Sequence, residues 1–158
     1  MVPANQSIGH YDGEVAFVDS QFGRVLDLLS DHDLDGDTMT IFVSDHGEEL
    51  LDHGGFGHGA TLFEEVVRIP LVVRFPQGAH AGQRVAARAS LSDVVPTVMS
   101  VVGEAPPSNV DGRDLTELLQ GAQPDWEGRE LFLSLRTSGP SSHLVRGVLG
   151  GPYKFLRR

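Results

Sequence analysis

The sequence predicts an α/β fold with a small antiparallel annex at its carboxyl end. Three observations carry this prediction. An amphipathic stretch at 12–29 leads into two short, apolar, β-branched runs at 38–44 and 69–75. A second amphipathic stretch, 92–102, follows them. Finally, apolar runs at 144–149 and 153–156 flank Gly150-Gly151-Pro152, a hairpin signal. Helix and strand patterns that alternate in this way favour a sheet with helices packed on it. With 158 residues, 40% of them apolar and 22% charged, the chain has enough material for a core.

The elements follow in order. In the first helix, Val15, Val18, Phe22, Val25, Leu26 and Leu29 fall at steps of three or four and make one apolar stripe. Asp12 is placed to cap it, because its carboxylate can accept from a free amide of the first turn. The acidic turn 31–37 comes next. Asp31, Asp33, Asp35 and Gly36 fit the opening of a calcium-binding EF-hand loop, but Phe42 stands where that loop needs its bidentate acid. The segment therefore reads as a solvated helix-to-strand turn. Residues 38–44 are expected to form a parallel, central strand buried on both faces. A loop carrying five glycines occupies 47–61. A short helix is expected at 62–67 and a strand at 69–75, with Pro70 at its beginning, where the missing N–H does no harm.

A glycine-bearing turn, 77–83, and a brief strand, 85–89, precede the second long helix. That helix, 92–102, is expected to be capped by Ser92 or Asp93 and ended by Gly103, with Pro96 in its first turn. Val94, Val95, Val98, Met99 and Val102 are its expected inward residues. A short helix at 114–119, ended by Gly121, and a strand at 131–135 complete the pattern. The expected division is an α/β portion over 1–121 and an antiparallel annex over 122–158.

Charge and composition exclude several functions. Lys and Arg number 12 against 22 for Asp and Glu, a formal charge of −10. Such a surface repels phosphate backbones, which argues against nucleic-acid binding, and it favours a bound divalent cation. The absence of cysteine removes disulfides, thiolate zinc sites and a cysteine nucleophile from this chain. No apolar run reaches the ~18 residues of a membrane span, and residues 1–10 show no signal-peptide pattern.

The segment richest in chemistry is 44–59. A strand that ends in Asp45-His46 delivers a carboxylate and an imidazole to the sheet's carboxyl edge, where open α/β sheets bind ligands. Both are metal ligands, and a mixed oxygen and nitrogen set suits Zn, Mn or Fe better than Mg or Ca. Asp52, His53 and His58 are further candidates in the glycine loop. Glu48 and Glu49 read as surface groups or supports for the ligands. Arg68 is expected to pair with Glu64 or Glu65 at helical spacing.

Several blocks, taken together and in order, resemble the sulfatase family of the alkaline phosphatase superfamily. They are Tyr11-Asp12-Gly13-Glu14 with Gly23-Arg24-Val25-Leu26, then Phe42-Val43-Ser44-Asp45-His46-Gly47-Glu48. Next come Gly57-His58-Gly59 through Glu64-Glu65-Val66-Val67-Arg68-Ile69-Pro70-Leu71, and Leu91-Ser92-Asp93-Val94-Val95-Pro96-Thr97. Asp111-Gly112-Arg113-Asp114-Leu115 and Tyr153-Lys154-Phe155 close the series. The resemblance implies part of an alkaline-phosphatase-like α/β/α sandwich and hydrolysis of sulfate esters at one divalent metal (Ca, Mn, Zn or Mg). It implies Asp45 and His46 as metal ligands and His58 as the catalytic, substrate-binding residue, with His53 as the fallback for substrate. The substrate implied is a small-molecule or glycan sulfate ester.

The family's formylglycine nucleophile and its early acidic ligands lie upstream of the Tyr11 block and have no counterpart in this chain. Ser138-Gly139-Pro140-Ser141-Ser142 imitates part of the nucleophile motif but lacks its arginine and stands after the metal pair, so it reads as a loop. The chain thus reads as the carboxyl-terminal portion of such an enzyme, inactive alone, with Met1 an internal methionine or a gene-fragment start. A phosphodiester or phosphonate ester hydrolase, or a phosphoglycerol-type transferase, of the same superfamily is the alternative. An inactive metal- or anion-binding domain is the other.

Overall fold

The structure, a computed structural model, describes residues 4–120, 126, 128–140 and 142–158. The chain divides into two compact units: Met1–Val43 with Pro70–Ala81, and Ser44–Ile69 with Gly82–Arg158.

The first unit holds α1 (Ala4–Asp31), β1 (Thr40–Val43) and β4 (Leu71–Arg74). Helix α1 begins well before Asp12, which is therefore a mid-helix residue and not its cap. Residues 4–11 contain no proline and continue the turn. The predicted apolar stripe divides. Phe22, Leu26 and Leu29 are half-buried, whereas Val15, Val18 and Val25 are exposed. Phe22 meets Phe42 of β1 with ring centroids 5.0 Å apart.

Strands β1 and β4 pair antiparallel, Thr40 opposite Arg74 and Val43 opposite Leu71. The expected parallel direction is thus corrected, and so is burial on both faces: every β1 residue is only half-buried. A β-branched run reports a pleated, packed surface and carries no information on strand direction. The acidic turn is tied to the chain after β4. Arg74 Nη2 lies 2.9 Å from Asp35 Oδ2, and Gln77 donates to Asp37 Oδ1 at 2.6 Å and to the Gly36 carbonyl at 3.0 Å.

The second unit holds the hairpin β2 (Glu49–Leu50) and β3 (Phe56–Gly57), then α2 (Glu64–Val67), α3 (Val94–Val101) and α4 (Thr116–Leu119). The strands β5 (Leu131–Arg136), β6 (Leu144–Gly150) and β7 (Tyr153–Arg157) end it. These last three make an antiparallel sheet in the order β5-β6-β7, with the predicted hairpin between β6 and β7. Residues 85–89 form no strand. They are irregular backbone, tied down where the Arg88 guanidinium donates to the Gly151 carbonyl. Gly121 and the expected boundary at 121/122 lie outside the described residues.

The unit is organised around Asp93. Ser90, not Ser92 or Asp93, caps the helical segment that leads into α3: its side chain accepts from Ser92 N, while the Asp93 carboxylate takes the Ser90 amide at 2.7 Å. This reciprocal arrangement satisfies donors at both ends of the first turn. The same carboxylate accepts from Arg113 N at 2.8 Å and from both Arg129 guanidinium nitrogens at 2.6 and 2.7 Å. Arg129 also lies over the buried Trp126 ring, 4.9 Å from its centroid. Beyond α3, Gly103 takes a φ of +79°, which lets its amide and that of Glu104 reach back to the Ser100 and Met99 carbonyls. Val95 and Val102, expected inward, are exposed; Pro96 and Thr97 are the residues α3 buries.

Candidate functional site

The chain leaves β1 at Val43 and enters a loop without regular hydrogen bonding, 44–48. Its course is fixed at one point. Gly47 N donates to the Val66 carbonyl at 2.7 Å, and the backbones approach so closely that a Cβ on Gly47 would lie 2.0 Å from the Glu65 carbonyl oxygen. Only glycine fits there without a shift. That contact sets where the two preceding side chains are presented.

Asp45 turns one carboxylate oxygen, Oδ1, onto the His46 amide at 2.9 Å and leaves Oδ2 in the open; its side chain is 85% exposed. His46 Nδ1 lies 2.9 Å from the Gly47 carbonyl. A carbonyl only accepts, so Nδ1 carries the hydrogen and Nε2 presents a lone pair. Nε2 is 3.7 Å from Asp45 Oδ2. Two acceptors thus face each other at a separation that ligand atoms held about 2.0–2.2 Å from one ion can span. The donor chemistry of this pair fits a divalent metal.

His58 comes from the far side of the β2–β3 hairpin. Its ring lies against that of His46, centroids 3.9 Å apart and tilted by 32°. Its Nδ1 faces both oxygens of Glu48, at 3.3 and 3.2 Å, which fixes the ring's orientation and leaves Nε2 free. The structure therefore brings Asp45, His46 and His58 together.

His53 is held elsewhere. Its Nδ1 is 2.6 Å from Glu65 Oε1 and its ring stacks on Phe63 at 4.1 Å. Among the described residues, no hydrogen bond or ring contact joins it to His46 or His58. Asp52 caps its own turn, accepting from Leu50 N at 3.2 Å. Leu51, between them, holds a left-handed φ of +77°. That is an uncommon conformation for a leucine, and such strain concentrates in loops that serve a site.

Glu49 is not a surface group: it is 3% exposed, accepting from Gly55 N at 2.8 Å and from the Thr61 hydroxyl at 3.4 Å. One ligand atom each from Glu49, His53 and Glu65 lie within 4.8 Å of one another, a second group able to hold a metal ion. Glu48, read from the sequence as a surface group or a support, supports His58, while Glu65, expected against Arg68, is the partner of His53. The expected pairing of Arg68 is also corrected: Glu65 belongs to His53 and Glu64 to Lys154, at 2.9 Å. Helix α2 is only one turn long, and its acids face groups brought by other elements.

Comparison with known proteins gives this geometry its context. The family model described as Sulfatase matches residues 2–104. The multifunctional alkaline phosphatase superfamily protein PehA of Trinickia caryophylli is 39% identical over 121 residues, covering 73% of this chain and 23% of its own length. Human steryl-sulfatase is 34% identical over 138 residues, covering 78% and 24%. The chain thus spans about a quarter of the length of these relatives.

Among solved structures, the phosphonate monoester hydrolase of Agrobacterium radiobacter superposes with a TM-score of 0.79 at 28% identity, over 93% of this chain and 32% of that one. A protein solved with its substrate D-glucosamine-2-N,6-O-disulfate gives 0.78 at 26%, over 90% and 29%. The mixed helix-and-sheet arrangement is that of the sulfatase α/β fold. With a family model across well over half of its residues, the chain belongs to the sulfatase family of the alkaline phosphatase superfamily.

Proposed function

We propose that this chain supplies part of the active site of a metal-dependent sulfuric ester hydrolase. The observation that carries the reading is the juxtaposition of Asp45 Oδ2 with His46 Nε2 at 3.7 Å, with the His58 ring against His46 at 3.9 Å. In this reading Asp45 and His46 hold one divalent metal, with Mn or Zn favoured by the mixed donor pair. When bound, that metal supplies Lewis-acid stabilisation of the ester oxygens.

The chain's own residues do the rest. The Gly47 contact holds the ligand pair in place. Glu48 fixes His58 through Nδ1, so that Nε2 points away from its support. With hydrogen on both ring nitrogens, His58 donates from Nε2 to an ester oxygen, neutralising charge that develops there or protonating the leaving oxygen. His53, bound to Glu65 and stacked on Phe63, holds the loop and is the fallback contact to substrate.

The second reading within enzymes is a phosphonate or phosphodiester ester hydrolase. The similarity to the Agrobacterium phosphonate monoester hydrolase and to PehA favours it specifically. An inactive metal- or anion-binding domain is the third reading.

A graft separates the three. This chain's 44–104 replaces the matching segment of PehA, and aryl sulfate and phenylphosphonate esters are assayed side by side. The graft should turn over at least one of them. His58→Ala should reduce that turnover by roughly 10²–10⁴-fold, and Asp45→Ala should take it to background. Turnover that survives Asp45→Ala sinks the metal assignment. Phosphonate turnover without sulfate turnover selects the second reading.

A further inference from the structure

Two acids are buried among the described residues, and their charges are balanced differently. Asp93 faces the Arg129 guanidinium with both oxygens. Glu49, 3% exposed, meets no lysine or arginine among the described residues. Its carboxylate receives the Gly55 amide at 2.8 Å and the Thr61 hydroxyl at 3.4 Å. Each carboxylate oxygen has two acceptor positions, so half of that capacity is unused. The loop closes tightly over it: a Cβ on Gly55 would lie 2.7 Å from Glu49 Oε1. An ionised carboxylate buried without a positive charge beside it is costly.

The neighbouring groups deepen the deficit. Glu65 brings a second carboxylate, largely buried, and His53 a ring whose Nδ1 is 2.6 Å from Glu65 Oε1. One ligand atom each from Glu49, His53 and Glu65 lie within 4.8 Å of one another. They come from β2, the β2–β3 turn and α2, so the fold gathers them and local spacing does not. Two carboxylates and a neutral imidazole carry two negative charges. A proton on the ring answers one of these, and a divalent cation answers both.

We propose that Glu49, His53 and Glu65 hold a zinc ion, separate from Asp45 and His46, and that this ion clips the β2–β3 hairpin to α2. One imidazole and two carboxylates suit Zn²⁺, with water in the fourth position, whereas Ca²⁺ and Mg²⁺ prefer oxygen alone. The metal takes the place of the hydrogen between His53 Nδ1 and Glu65 Oε1, and that proton goes to water. Tetrahedral ligands lie about 3.4 Å apart, so the set closes by at most about 1.4 Å. Glu48 turns to His58 while Glu49 turns to this cluster, so adjacent acids serve different groups. The hairpin pairs only Glu49 with Gly57 and Leu50 with Phe56. A three-point metal tether would therefore stiffen the strand that ends just before His58. None of this draws on ester hydrolysis.

The test is a Zn²⁺ titration of the full chain carrying Asp45→Ala and His46→Ala, which removes the other pair. One equivalent should move a His53 ring nitrogen to a metal-bound ¹⁵N shift. It should slow hydrogen exchange of the Gly54 and Gly55 amides at least tenfold and leave the β5–β7 amides unchanged. Glu49→Gln, and separately the less buried Glu65→Gln, keep side-chain size and should each weaken Zn²⁺ at least tenfold. Unaltered β5–β7 amide shifts show that each variant is folded. An unmoved His53 ring, unchanged affinity in both glutamine variants, or Ca²⁺ binding as tightly as Zn²⁺ would each overturn the proposal. Zinc binding that vanishes with Asp45→Ala and His46→Ala alone would overturn it too, while leaving the proposed function standing.

Discussion

Asp93 and Asp45 are both aspartates at the start of a loop or turn in the same unit, and they are treated in opposite ways. Asp93 is fully buried and receives hydrogen bonds from Ser90 N, Arg113 N and both Arg129 guanidinium nitrogens. Nothing is left on it for a ligand to use. Asp45 is exposed and spends one oxygen on its neighbour's amide, while the other faces the lone pair of His46. The first arrangement spends its polar capacity on holding the chain, the second on nothing within the chain. Saturation and burial mark a structural carboxylate; the open pair of acceptors at Asp45 and His46 is what the proposed metal assignment rests on. Family blocks name both residues without telling them apart; their hydrogen bonds do.

The largest effect that tests this contrast is Arg129→Ala. It strands a buried carboxylate, and we expect a loss of about 3–5 kcal/mol, read by denaturant unfolding. A loss under ~1 kcal/mol would mean that water replaces the guanidinium and that Asp93 is no hub. Next come two glycines. A Cβ on Gly112 would lie 1.9 Å from the Ser92 carbonyl oxygen, and one on Gly47 would lie 2.0 Å from that of Glu65. Each alanine variant should cost about 1–3 kcal/mol by overpacking. Gly47→Ala should also shift the His46 and His58 ring resonances, whereas Gly112→Ala should leave them in place. Equal effects on those rings would erase the difference between the two regions.

Two smaller effects sharpen the comparison. Among the described residues Thr40 Oγ1 is buried without a hydrogen-bond partner, so Thr40→Val should be neutral or stabilise by up to about 1 kcal/mol. A clear destabilisation would reveal a partner for the hydroxyl. The smallest effect is on the site itself. Asp45→Asn should change stability by no more than ~0.5 kcal/mol while weakening Mn²⁺ binding at least tenfold, followed by paramagnetic broadening of the His46 and His58 rings. If stability falls as Asp93's would, Asp45 is structural after all.

Much of this was legible before any coordinates. Helical spacing found α1 and α3, and Gly103 and the Gly150-Gly151-Pro152 turn marked ends that the chain does use. Periodicity reads which residues can share a face, so it could not reveal that β1 and β4 run antiparallel, or that Val95 and Val102 face water. Capping was misread by two residues because Ser90, Ser92 and Asp93 offer equivalent side chains, and only the backbone geometry chooses among them. At the site, His46 and His58 stood out as residue types. Their contact depends on a hairpin of two-residue strands and on one glycine pinned against α2, distances that no spacing rule encodes.

Helix α1 has a consequence for local opening. Its 28 residues extend about 42 Å at 1.5 Å per residue, and Gly9, Gly13 and Gly23 each cost roughly 1 kcal/mol relative to alanine. The side chains of 9–20 are exposed, and the anchoring contact, Phe22 on Phe42, lies past the helix midpoint. Hydrogen bonds of the first half are held by helix propagation from that anchor and by little else. Amide hydrogen exchange should therefore run as a gradient along α1, fast before residue 15 and slowing toward Leu29. The two ends of one continuous helix would then differ in opening free energy although they share one backbone geometry.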